Sequence, residues 1–513
     1  MAVDEQGQGS NTKQEQETKS SILITLTTFY DSENGALSAK TPTTTNVVKI
    51  DGDDVNNQNL TMQPSNSKTF IVRNLLVLSF GNFLLFMAFD SLANLQSTMN
   101  GQTSVGVVSL AVIYGTLTIS SLFLPTLVIR CLGCKKTLVV CFVSFCPYIL
   151  ANFYPDWSTL IPSAALCGLV SGPLWAARNT YINEISHRYA TLQGASATDM
   201  NAWFFSISAA FQQNTEIWGN MISYFVLKDE EEEDNSLPSS VLNACGADFC
   251  DEVGFKFNPN LHPPPEVKRY ILVTIYVALG LTAAFFVSFF LDSLDAEQLS
   301  IRRQQEFSPK YILATFKQML SINQLLLLPL SFYTGLVDGF YNGDYAKAYV
   351  ACAWGVPHVG VVSICYGVVS ALVDSASGPS VMILGRVTVF ILAATAHFSM
   401  FISLTFWEPD PDRPIGFFLI AGVHGIGNGI WLSQLVGFYG VLFKKSEEAA
   451  FSCFYFMNAL GFVVAYAYSP YLCTHVKIII PLVILSIGLI CYIVLELRII
   501  WKSETSYSLK NNE

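Results

Sequence analysis

The chain has 513 residues, of which 51% are hydrophobic and only 13% charged, with a formal net charge of −11. A usual globular domain carries about 25% charged residues. Here the charges gather in short segments between long uncharged runs, which argues against a soluble chain. The basic residues form no continuous stripe, and much of the acidity sits in Asp229–Asp234 and the N-terminal tail, so nothing points to nucleic acid.

Residues 1–68 are rich in Gln, Asn, Ser, Thr and Asp and bury too little apolar surface to fold. They are predicted to be a disordered cytosolic tail, without a signal peptide. The tail reads either as a regulatory segment phosphorylated on its Ser and Thr, or as a plain solubilising one. Asn59 opens a glycosylation sequon, which goes unused if the tail is cytosolic.

Hydrophobic runs of spanning length follow at 75–97, 105–129, 137–154, 158–178, 200–226 and 270–291. A second set follows at 322–341, 357–379, 387–406, 415–437, 450–472 and 478–500. The prediction is an all-α membrane protein of twelve spans, in two pseudo-repeated six-helix bundles at 69–291 and 322–500. A cytosolic linker at 292–321 joins them, and a cytosolic tail occupies 501–513. In the linker, Tyr311, Ile312, Phe316 and Leu320 fall near the spacing of an interfacial amphipathic helix.

The halves echo each other. VGVVS stands at Val105–Ser109 and again at Val359–Ser363, Tyr114-Gly115 is echoed by Tyr366-Gly367, and Leu132-Gly133 by Leu384-Gly385. A duplicated apolar helix with a basic turn is a common plan among secondary transporters. Gly168/Gly172 and Gly425/Gly429 give GxxxG spacing at matching places, which permits close helix contact. Arg130, Lys135, Lys136, Arg188, Arg302, Arg303, Arg386, Lys444 and Lys445 fall on one side of the predicted topology, and the positive-inside rule puts that side and both termini in the cytosol.

Most of the 12 cysteines lie inside spans as small apolar residues. Cys245 and Cys250 share the long outer loop 227–269 and are candidates for a disulfide. Cys131 and Cys134 have CxxC spacing but no second pair, so no metal or cofactor is expected there. No GxSxG, HExxH or phosphate loop stands in a suitable context, and an enzyme is not expected.

Ionisable residues inside spans are costly and usually face a cavity or a partner. Asp90 and Glu216 lie in the outer halves of the first and fifth spans, and Gln212, Gln213, Asn214 and Asn220 surround Glu216. Asp338 ends the seventh span, Asp344 lies just beyond it, and His358 opens the eighth. These five are predicted to line an acidic outer vestibule that attracts cations, the alternative being that some are interfacial and wet. Asp374, deep in the eighth span, is read as a partner for Arg386 or Arg178. His397 and His424 read as helix-to-helix hydrogen bonds, with a proton relay as the alternative.

Taken together these residues resemble the uncoordinated-ninety-three-like family, a distant branch of the major facilitator superfamily, and within it the A-type animal homologues. The likeness runs from about residue 74 to 500. It rests on Leu78–Phe86 (LSFGNFLLF), Asn94-Leu95-Gln96-Ser97, Leu132-Gly133-Cys134-Lys135, Gly172-Pro173-Leu174-Trp175 and Tyr181. Further on come Cys245-Gly246-Ala247, Cys250, Asp344-Tyr345, Gln434, Tyr439–Phe443 (YGVLF), Glu448-Ala449-Ala450-Phe451 and Ala459-Leu460-Gly461-Phe462-Val463. The chain departs from the family pattern at Arg178, where Gln is usual, at Asn428, where an acidic residue is usual, and at Phe454-Tyr455, which replaces a pair containing Arg.

The resemblance implies a membrane-embedded regulatory or accessory subunit of a potassium channel, the partners being lipid and a two-pore potassium channel complex at the plasma membrane. Two alternatives stay open. One is a secondary transporter of a small solute or cation using the intramembrane carboxylates. The other is a trafficking chaperone for membrane receptors.

Overall fold

The computed structural model describes residues 67–101, 103–228, 238–251, 258–293, 317–443 and 446–510. The predicted tail with Asn59, the acidic run Asp229–Asp234 and most of the 292–321 linker, with its predicted amphipathic helix, lie outside them. Among the described residues the long elements are all helices: α1 Lys68–Met99, α2 Val105–Ala151, α3 Trp157–Gln193, α4 Ala197–Leu227, α5 Glu266–Phe290, α6 Ile322–Phe340, α7 Val356–Leu384, α8 Arg386–Phe406, α9 Ile415–Leu442, α10 Glu447–Tyr468 and α11 Thr474–Lys510. Nine helical stretches among the described residues are long and apolar enough to cross a membrane. The chain is an integral membrane protein, and large apolar side chains such as Phe289, Ile383 and Phe406 stand outward where lipid replaces water as the neighbour.

Local chemistry sets the helix ends. The Ser67 side chain accepts the Phe70 N–H and starts α1. Asp156 and Thr159 form a reciprocal capping box at the start of α3, and Gly194, with φ 66°, closes it. Two predicted spans, 105–129 and 137–154, run together as α2, which departs from helical geometry only at Gly133 (φ 77°, ψ 163°). Gly385 (φ 80°, ψ 153°) makes the same break between α7 and α8. The Leu-Gly echo in the sequence is therefore one backbone device used twice, in a conformation that favours glycine.

Pairing repeats in the same way. α2 packs on α3, and α1 on α4 and α5; later, α7 packs on α9, and α6 on α10 and α11. A β-carbon on Gly168 would meet the Ile113 backbone, and one on Gly172 would lie 3.0 Å from Ser121 Cα. On the other side, β-carbons on Gly425 and Gly429 would lie 3.0 Å from the Tyr366 carbonyl oxygen and 2.7 Å from that of Ser370. Both GxxxG stripes sit where two backbones approach too closely for any larger residue. One apolar core is built mainly from residues between Ile71 and Leu291. A second is built mainly between Leu327 and Leu495. α4 against α7 and α2 against α10 join the two.

The seventh predicted span does not stop at 341. α6 continues as a π-helix over Tyr341–Ala351 and a short turn Cys352–Trp354, until Gly355 at φ 96° ends it. The wider π-turn brings Tyr341, Tyr345 and Tyr349 into a row, with centroids 5.0 and 5.7 Å apart.

Candidate functional site

Asp90 of α1 and Glu216 of α4 converge in the interior. Asp90 Oδ2 accepts the Thr215 hydroxyl at 2.7 Å. Glu216 Oε2 accepts Asn94 Nδ2 and Asn220 Nδ2, both at 2.8 Å. Asp338 of α6 enters from the other core and interacts electrostatically with Glu216, which in turn interacts with Asp90. Asp90 and Glu216 are half-buried, and the Asp338 side chain is 15% exposed. Their hydrogen-bond neighbours Asn94, Thr215 and Asn220 lie on α1 and α4. Among the described residues no Lys or Arg forms an ion pair with any of the three.

Aromatic residues flank these carboxylates. Tyr114 of α2 and Tyr366 of α7 each interact with all three carboxylates. They are the two tyrosines of the sequence echo, so the duplication supplies one ring from each side. Tyr114 stacks on Phe462 with centroids 4.3 Å apart, and Tyr366 lies 4.9 Å from Tyr341. Asn428 Nδ2 donates to the Tyr366 hydroxyl at 2.6 Å. His424 is fully buried and stacks on Tyr341 at 4.2 Å, with its Nε2 3.5 Å from Asp338 Oδ1. Neither ring nitrogen of His424 has a hydrogen-bond partner, so the predicted helix-to-helix bond is absent there. His397 does make one, between Nδ1 and the Tyr333 hydroxyl, 2.7 Å apart.

The predicted vestibule therefore divides. Asp344 is not part of it. It is 1% exposed and ion-paired with Lys477 at 2.8 Å, while the Ser469 hydroxyl donates to it at 2.6 Å. Beside it Lys347 pairs with Asp251 at 2.7 Å. His358 also stands apart, stacked on Trp354 with centroids 4.1 Å apart. Asp374 Oδ2 accepts Gln213 Nε2 at 3.3 Å across the α4–α7 contact, and is not the partner of either predicted arginine. Arg386 instead grips Glu496 with two hydrogen bonds, and Arg178 donates to the Ser208 hydroxyl and lies over Trp175. Glu496 sits on the last helix, where helical spacing alone gave no link to Arg386.

The cysteine pairing is also different from the prediction. Cys245 and Cys250 do not bond to each other; the disulfides are Cys245–Cys352 and Cys250–Cys473. The turn Gly246–Asp248 separates the two loop cysteines and presents each to a different helix end. Asn258 and Asn260 amides donate to the Cys352 carbonyl, and the Thr474 N–H donates to the Phe249 carbonyl, so backbone docking fixes the same arrangement. The signal was available: Cys352 and Cys473 both lie just outside the predicted spans, on the same predicted face as the loop. Tyr341, Lys347 and Lys477 were likewise missed as site or network residues, because only the π-helix and the docked loop bring them inward.

The chain is similar to known proteins over most of its length. Residues 99–494 match the family model described as ion channel regulatory protein UNC-93. Protein unc-93 homolog A of Xenopus laevis is 36% identical over 446 residues, 86% of this chain and 97% of that protein. The human protein of that name is 36% identical over 83% of this chain and 93% of its own length. A Caenorhabditis elegans protein named as a candidate potassium channel regulatory protein, unc-93, is 30% identical over 84% of this chain and 61% of its own length. Among solved structures, a point mutant of the nucleoside transporter NupG aligns with TM-score 0.58 at 14% identity, over 83% of this chain and 99% of its own. A D-xylose–proton symporter aligns with TM-score 0.55 at 12% identity, over 84% and 97%.

Proposed function

This chain belongs to the UNC-93 family, and from that premise we propose that it is a regulatory subunit of a potassium channel at the plasma membrane. The observation that carries the reading is the match of 84% of the chain to the nematode relative named for potassium channel regulation. The two-pore class of channel is the partner to test. The proposal includes the layout: twelve membrane crossings in two six-helix bundles, a cytosolic linker between them and both termini in the cytosol.

Co-expression with a two-pore potassium channel tests it. The expected result is a change in channel current or surface level together with a recoverable complex, unaffected by Asp90→Asn and Glu216→Gln. Unchanged current, surface level and complex formation would reject it.

One observation favours a second reading, transport of a small solute or cation: three carboxylates meet in the interior, where helices of both cores converge. Fold likeness to carriers adds only analogy. Flux in cells without the channel, lost on neutralising Asp90 and Glu216, would put transport first.

A further inference from the structure

Three carboxylates in one interior, with no Lys or Arg paired to them among the described residues, are expensive to keep ionised. Such a group takes protons, or it takes a cation from outside the chain. Two further groups point at the second outcome. The Tyr341 hydroxyl is on a side chain only 3% exposed and has no hydrogen-bond partner, although it interacts electrostatically with Glu216 and Tyr366. His424, fully buried, makes no hydrogen bond through either nitrogen, and its Nε2 lies 3.5 Å from Asp338 Oδ1. Native interiors rarely leave buried polar atoms unmatched, and where they do an absent ion or molecule is one of the standard explanations.

The shape of the donor set selects the kind of cation. Among the described residues no three His, Cys, Asp or Glu side chains stand close enough to hold a metal ion, so the carboxylates are spread rather than focused on one point. Tyr114 and Tyr366 each interact electrostatically with all three acids, and Tyr341 lies 4.9 Å from Tyr366. Spread carboxylates near tyrosine rings suit a cation with apolar bulk, since aromatic faces attract a poorly hydrated ammonium group.

We propose that the space bounded by Asp90, Glu216, Asp338, Tyr114, Tyr341 and Tyr366 binds an organic ammonium ion, a protonated amine on an apolar body. The amine sits among the carboxylates and the apolar part lies against the tyrosines. This occupancy does not depend on the channel reading; it deepens the transport reading by naming the substrate class.

The test is titration calorimetry on the full chain in detergent at neutral pH, without any channel, using three probes: phenethylammonium chloride, 2-phenylethanol and potassium chloride. The expected result is binding of phenethylammonium about tenfold or more tighter than of the alcohol, which has the same body without the charge. Equimolar potassium should not displace it. Glu216→Gln and Asp338→Asn, near-isosteric changes, should each weaken the amine by about tenfold or more while leaving the alcohol unchanged, and Tyr366→Leu by several-fold. No amine binding, equal binding of the alcohol, or displacement by equimolar potassium overturns the proposal. The wild-type contrast among probes decides this even if a variant does not fold. A null result leaves channel regulation standing, and amine binding without flux keeps the site while removing transport.

Discussion

Two clusters of acids, scarcely a few turns apart along α6 and its π extension, behave in opposite ways. Around Asp344 every charge has a counterpart: Lys477 at 2.8 Å, with Lys347 held by Asp251 at 2.7 Å, beneath a loop fixed by two disulfides. Around Asp338, among the described residues, no lysine or arginine pairs with the acids. Both clusters leave some polar atoms without a hydrogen bond, so residue type and polar matching are alike and ion pairing differs. The first cluster fastens the outer loop, and the second has no such pairing.

That comparison can be broken by removing one member of each. Lys477→Met leaves the buried Asp344 carboxylate with its ion pair gone and should cost about 3–5 kcal/mol of stability, seen as a large fall in the unfolding midpoint in detergent. Adding Asp344→Leu should restore most of the loss, because a buried pair replaced whole by apolar residues is close to neutral. If the single change were silent, the outer network would not be a fastening.

Cys250→Ser opens a link between positions 223 residues apart and should cost about 2–5 kcal/mol, with a free thiol appearing at Cys473 on labelling. A Cys245–Cys250 crosslink found by peptide mapping would contradict the observed pairing. Gly429→Leu pushes side-chain atoms against the Ser370 carbonyl and should cost about 1–3 kcal/mol, with α7 and α9 forced apart.

Asp338→Asn replaces a carboxyl that, among the described residues, pairs with no lysine or arginine. Its stability should change by less than about 1 kcal/mol, or rise, in the same unfolding assay. A loss as large as that of Lys477→Met would erase the distinction between the clusters.

The smallest effect lies at the α3 cap, outside both clusters. The hydroxyl and backbone N–H of Ser158 donate to Asp156 and hold its carboxyl below the ordinary range. A folded-state value below the unfolded one means the contribution is present above the unfolded pKa of about 3.9 and is lost as pH falls through the folded value. Wild type and Asp156→Asn should therefore converge in thermal midpoint only at the acid end of a pH series.

Parts of this design were legible in the chain. Helix-length apolar runs pointed to an all-helical membrane protein because lipid offers the backbone no other partner. The Leu-Gly echo was read as a repeat, and it marks the same left-handed glycine break at Gly133 and Gly385. Asp90, Glu216 and Asp338 stood out because charge inside a span is costly. Asp344 looked equivalent to them by the same criterion and is not, since Lys477 at the start of α11 pairs with it.

By itself, then, the sequence determined the helices, their membrane setting, the duplicated turns and which carboxylates are costly, for these follow from local composition and period. Only the tertiary structure decided which of those carboxylates are neutralised. Pairing depends on contacts between residues more than a hundred positions apart, such as Asp344 with Lys477, Cys250 with Cys473 and Arg386 with Glu496. Each is set by how helices pack and how a loop docks, and neither hydropathy nor spacing carries that information.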